Sequence, residues 1–105
     1  MSQLTGYAST KQALDAFTKS LAIEMADKKK NVRVNIVHPG FIKTSYYENF
    51  KKKRKKLYNW TLSKIPTKKW GNSSDISNLV CFLLSDESRY INGQSIICDG
   101  GWTIG

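Results

Sequence analysis

A chain of 105 residues has room for one domain at most, and it buries a smaller share of its surface than a full α/β domain does. Its 40% apolar content excludes a disordered composition, and no 18-residue apolar run is present to cross a bilayer as a helix. The net charge is +9, but Lys51–Lys56 alone carries six of those charges, so the excess is one local run and not a basic fold.

Residues 1–6 have neither a basic start nor an apolar core, so no secretory signal is expected and the default compartment is cytoplasmic. Cys81 lies in an apolar helical stretch and Cys98 ends an apolar strand. Both read as buried, reduced thiols. With His38 the single histidine and no cysteine cluster, no metal site is expected.

The first chemical signal is Tyr7-Ala8-Ser9-Thr10-Lys11. Residues four apart on a helix share a face. A free phenol titrates near pH 10, and an ammonium one turn away favours the phenolate. Tyr7 and Lys11 therefore suit a proton-transfer pair. The spacing alone is weak: five tyrosines among 14 lysines give about 0.7 such pairs by chance. Tyr47 and Lys51 repeat it inside a lysine-rich connector. Context separates the two, because Tyr7 opens an apolar-periodic helix followed by a short apolar run and Pro39-Gly40.

That helix is predicted over residues 8–27, with Leu14, Phe17, Leu21 and Met25 as its apolar stripe. Ala8, Ser9, Ala13 and Ala16 leave room for close packing of another helix. Asn31 suits a left-handed cap after the last turn. Val32 to Val37 reads as a strand that stops at Pro39. Gly40 then permits close backbone approach, to a ligand or in a simple turn. Residues 45–70 form an aromatic, lysine-rich connector that is helical in parts. Asn72 or Ser73 caps a helix carrying Ile76, Leu79, Val80, Leu83 and Leu84, with Asp75 in its first turn. Asn92-Gly93 signals a turn, Ser95–Cys98 a short strand, and Asp99-Gly100-Gly101 a second turn.

Taken together, Tyr7 to Lys11, Val32-Arg33-Val34-Asn35, Pro39-Gly40 with Thr44, and Asn92-Gly93-Gln94 leading to Asp99-Gly100-Gly101 resemble the C-terminal half of a short-chain dehydrogenase/reductase. The resemblance runs from about Tyr7 to Trp102. It implies an α/β fold, the C-terminal part of a Rossmann-like doubly wound parallel sheet, with a substrate lid at about 45–70. The nucleotide-binding half and its serine would precede Tyr7 and are not in this chain. It further implies an NAD(P)-dependent oxidoreductase, with NAD or NADP as cofactor and a small carbonyl or alcohol substrate. Tyr7 would be the acid/base beside Lys11, and both would also contact the cofactor. Pro39, Gly40, Ile42 and Thr44 would line the nicotinamide end. A homodimer or homotetramer is expected for the full-length form, and the 105 residues alone are expected to be inactive.

The lysine run reads first as a solvated face. An anionic or carrier-linked substrate is a second reading. A third is a non-enzymatic basic interaction module through Lys51–Lys56, although nucleic acid is disfavoured because the run is no grooved face.

Overall fold

The computed structural model describes residues 2–104, with the side chains of residues 2–5 and Tyr7 outside that description. The elements in order are α1 (Ser2–Asp27), β1 (Ile36–Pro39), α2 (Tyr47–Lys53), α3 (Lys55–Lys64), α4 (Ser73–Leu84) and β2 (Ser95–Cys98). Two 3₁₀ turns lie at Asp86–Ser88 and Trp102–Ile104. β1 and β2 pair in one sheet. Ile36 N–H donates to the Gln94 carbonyl and Gly40 N–H to the Cys98 carbonyl. The partner advances in the same direction along both strands, so the pair is parallel, and helices fill the connection as such pairing demands. The expected α/β class is met. By compactness the chain divides into one unit of Met1–Val37 with Phe82–Ile96 and a second of His38–Cys81 with Ile97–Gly105.

In the first unit, α1 begins at Ser2, several residues before the expected start. No proline interrupts this turn, and Gly6 meets nothing that a Cβ would touch. Its cost in a helix is about 1 kcal/mol and is borne. The other end falls at Asp27 as expected, but its left-handed cap comes two residues earlier. Lys29, and not Asn31, takes the left-handed conformation, at φ 54°. Lys29 N–H donates to Ala26 and Lys30 N–H to Met25, the pair of bonds that defines a Schellman cap.

The buried stripe of α1 keeps Leu21 and Met25, both half-buried, but is otherwise rotated from the expected one. Thr18 and Ala22 are buried and Lys11 and Asp15 half-buried, whereas Leu14 and Phe17 are exposed. The reason is the segment that lies against the helix. A Cβ on Gly93 would stand 3.4 Å from that of Ala22, and the Ser95 hydroxyl donates to Asp15 at 2.5 Å.

The expected strand Val32–Val37 is displaced to Ile36–Pro39. Upstream of it, two asparagine side chains take the place of a ladder. Asn92 accepts from Val34 N–H, and Asn35 accepts from Gln94 N–H while donating to the Ile91 carbonyl. Between them Arg33 spreads its guanidinium over four carbonyls, those of Leu83, Ser85, Ser88 and Ile91, at 2.9–3.3 Å. The Leu83 carbonyl lies in the last turn of α4, where the helix supplies no donor, and the other three follow the helix.

The second unit has its core in Tyr58, Ile65 and Trp70, with Phe41, Tyr47, Phe50, Leu62 and Trp102 packed against them. The connector 45–70 resolves into α2 and α3, broken at Arg54 (φ −120°, ψ 50°). The lysine run is thus divided between the last turn of α2, where cations suit the helix dipole, and the first turn of α3, where they do not. α4 opens as expected. Asp75 N–H donates to the Asn72 carbonyl, and the Asp75 carboxylate accepts from Asn72 N–H at 2.7 Å. The second bond is the N3 half of a capping box, while the first goes to the Asn72 backbone and not to its side chain. Along α4 the inward positions are Ile76, Leu79 and Leu83. Cys81 falls on the other side and is exposed, which corrects the expectation of two buried thiols. Cys98 is half-buried, and both are free.

Two substitutions test these devices. Arg33→Lys replaces a planar fork that ties four carbonyls together with a single ammonium, so denaturant unfolding should give a loss of about 2 kcal/mol. Lys29→Gly relieves the left-handed backbone and should gain about 1 kcal/mol in the same measurement.

Candidate active site

The loop after β1, Pro39 to Thr44, gathers four of the expected site residues in the second unit. Its path is fixed at both ends by backbone. Gly40 N–H is held by Cys98, and a Cβ on Gly40 would come within 2.5 Å of the Asp99 Cβ. The close approach that requires glycine is therefore to the chain's own Asp99 backbone. Further on, Ile42 bridges Gly71 in parallel, with Lys43 N–H donating to Gly71 and Gly71 N–H to Phe41.

In a parallel bridge of this pattern the central residue's own N–H and C=O point to the opposite side. Ile42 has neither group hydrogen-bonded among the described residues. Thr44 is exposed. Its hydroxyl oxygen accepts from Tyr46 N–H at 3.3 Å, which leaves its proton free to donate. A free amide, a free carbonyl and a free hydroxyl proton, two residues apart, fit a planar carboxamide that both donates and accepts. The loop thus suits the nicotinamide end of a cofactor on the chemistry of its donors.

Beside this loop lies a cavity of about 310 Å³ lined by Phe41, Ile42, Lys69, Gly71, Asp75 and Asp99 among others. Its two carboxylates are structural. Asp75 caps α4. Asp99 accepts from Gly101 N–H at 2.9 Å and Thr103 N–H at 3.0 Å, closing the turn in which Gly100 and Gly101 have positive φ. Burial pushes the Asp99 carboxyl up. The N–H groups of Gly101, Thr103 and Trp102, with the Thr103 hydroxyl, outweigh it and leave the group below its usual range.

Tyr7 and Lys11 belong to the first unit, on α1. The Tyr7 side chain lies outside the described residues. Lys11 reaches Asp15 at 3.6 Å, and Asp15 in turn accepts the Ser95 hydroxyl. This Lys11–Asp15–Ser95 chain was not anticipated from sequence, although Asp15 stands at i+4 from Lys11, where an ion pair is expected on a helix. The roles of Trp70 and Arg33 were missed as well, because one position among three tryptophans or three arginines carries no spacing signal.

His38 is buried in β1. Among the described residues no group of three or more histidine, cysteine, aspartate or glutamate side chains is placed to hold a metal ion, and no helix is long and apolar enough to cross a membrane.

The chain matches the family model for enoyl-(acyl carrier protein) reductase over residues 1–103. It is 45% identical over 95 residues to a 3-oxoacyl-[acyl-carrier-protein] reductase of Buchnera aphidicola, covering 90% of this chain and 37% of that protein. The corresponding reductase of Thermotoga maritima is 40% identical over 100 residues, 95% of this chain and 39% of that protein. Among solved structures, 4-hydroxyisoleucine dehydrogenase complexed with NADH superposes with a TM-score of 0.82 at 37% identity, covering 96% of this chain and 40% of that one. The NADPH-dependent reductase YwfH, involved in bacilysin biosynthesis, gives a TM-score of 0.72 at 39% identity, with 87% and 37% covered. The chain therefore spans somewhat over a third of the length of the relatives it matches.

The depressed Asp99 carboxyl has a pH consequence. Its contribution to stability is full above the ordinary aspartate pKa of about 3.9 and is lost as pH falls through the lower folded value. Unfolding free energy measured from pH 6 down to pH 2 should fall across that window, and Asp99→Asn should be less stable at pH 6 with a shallower fall.

Proposed function

The chain belongs to the short-chain dehydrogenase/reductase family, and on that premise we propose that it is the C-terminal portion of an NAD(P)-dependent oxidoreductase acting on a small carbonyl or alcohol. In this reading a nucleotide-binding half lies N-terminal to residues 1–105, and turnover is expected only with it. The observation that carries the reading is the Pro39–Thr44 loop, whose free Ile42 backbone and Thr44 hydroxyl suit a carboxamide. When bound, the nicotinamide supplies or accepts hydride at the substrate carbon.

The chain's own residues handle position and the proton. Pro39 and Gly40 set the loop's exit from β1, and Ile42 and Thr44 hold the carboxamide. Tyr7 gives a proton to the developing alkoxide, or takes it from an alcohol in reverse. Lys11 favours the Tyr7 phenolate by its charge and bonds the nicotinamide ribose. Asp15 and Ser95 hold the Lys11 ammonium on α1. Exposed Ala8, Ser9, Ala13 and Ala16 offer a close-packing face for a homodimer or homotetramer. Residues 45–70 serve as the substrate lid.

The test fuses this chain to the N-terminal part of the Buchnera reductase and follows NAD(P)H consumption. Tyr7→Phe should lower kcat by roughly 10²–10⁴ with little change in cofactor binding. Lys11→Met should weaken cofactor binding and raise the apparent pKa that governs kcat. Tyr47→Phe should do neither. Full turnover by Tyr7→Phe would overturn the assignment.

A further inference from the structure

The second tyrosine–lysine pair of the sequence, Tyr47 and Lys51, is assembled into something other than an acid/base couple. Tyr47 and Tyr58 meet edge to face, with ring centroids 5.7 Å apart and their hydroxyls 2.6 Å apart. Two hydroxyls sharing one hydrogen bond hold two protons, and only one lies between them. The other is left to donate elsewhere. The bond to the Tyr47 hydroxyl, with burial after it, keeps Tyr58 above the ordinary phenol value.

Two ammoniums stand over the rings of this pair. Lys43 Nζ stands 5.3 Å from the Tyr47 ring centre. Lys51 Nζ stands 5.9 Å from the Tyr47 ring and 5.6 Å from the Tyr58 ring. Each acts on the Tyr58 hydroxyl by its charge. Neither forms an ion pair among the described residues, where the pairs are Lys11–Asp15 and Lys28–Glu24. Like charges held near one ring repel, and ring faces attract each ammonium only modestly. The arrangement lacks a counter-charge that accepts hydrogen bonds.

The frame is rigid where it matters. Both tyrosine rings pack on Trp70, at 5.2 and 5.6 Å, and Trp70 Nε1 is fixed by the Thr61 hydroxyl at 2.8 Å.

We propose that Lys43, Lys51 and the Tyr47–Tyr58 hydroxyl pair form a binding site for a doubly charged oxyanion, of the phosphate-monoester class, carried on the substrate end that the lid receives. The site as a feature of this chain stands on its own geometry. Its assignment to substrate rests on the lid reading of residues 45–70. The remaining lysines of the run, Lys52 and Lys53 on α2 and Lys55 and Lys56 on α3, have no ring contact among the described residues and serve the site only as general positive potential.

The test is an NMR titration of the full chain with inorganic phosphate and, separately, with acetate at equal ionic strength, read on the Tyr47 and Tyr58 ring signals. No cofactor or turnover is involved, so failure here is distinct from failure of the oxidoreductase reading. Phosphate should shift both rings saturably, and acetate should bind at least tenfold more weakly. Lys51→Gln and Lys43→Gln should each weaken phosphate at least fivefold, while Lys53→Gln should leave it within twofold. Tyr58→Phe, which keeps the ring, should weaken it as well. Shifts that never saturate, or an equal loss in Lys53→Gln and Lys51→Gln, would mean charge screening alone and would overturn the proposal.

Discussion

The second unit depends on one indole. Trp70 stacks or tilts against Phe41, Phe50, Tyr47 and Tyr58 with centroids 5.2–5.6 Å away, and its N–H is satisfied by Thr61. Such ring pairs are worth about 0.5–1.5 kcal/mol each beyond the area they bury. Three of the four rings come from α2 and α3, and the fourth, Phe41, comes from the loop after β1. One residue thus ties two short helices to the segment that carries Ile42 and Thr44. Helices of 7 and 10 residues would be marginal without such an anchor.

The first unit solves a different problem. The chain leaves α4 through a 3₁₀ turn and returns to β2 by way of Asn92-Gly93, exposing a series of carbonyls. Arg33 collects four of them, and two asparagines supply the pairing that a strand would otherwise give. Charge-assisted bonds of this kind are stronger than neutral ones, and the five donors of a guanidinium suit several acceptors at once. The four-residue sheet can be so short because its upstream edge is pinned by side chains.

These devices position chemistry without performing it. Asp75 and Asp99, the carboxylates beside the Pro39–Thr44 loop, are both spent on backbone N–H groups. What Ile42 and Thr44 leave open is neutral: an amide, a carbonyl and a hydroxyl. The charges held over the tyrosines of the same aromatic core are Lys51 on α2 and Lys43, from the same loop. The proposed contacts to a planar carboxamide and the proposed anion site thus share one scaffold, each with its own donors.

Periodicity and punctuation in the sequence were enough to locate α4, β2, the Asn92-Gly93 turn and the existence of α1, because those signals are local: apolar spacing, an N-cap with Asp75, a glycine at positive φ. The ordered motifs from Tyr7 to Gly101 were enough to identify the family. The side chain of Tyr7 is not among the described residues, so its role stands on that resemblance. Only tertiary structure decided which face of α1 is buried, since Ser95 and Gly93 approach Asp15 and Ala22 from 70 to 80 residues away. It alone moved the first strand to Ile36–Pro39, because the asparagines that replace the ladder lie nearly 60 residues apart in the chain. And it alone distinguished Lys51 from the other lysines of its run, because the break at Arg54 and the packing of Tyr47 on Tyr58 are set by Trp70, which no spacing rule connects to them.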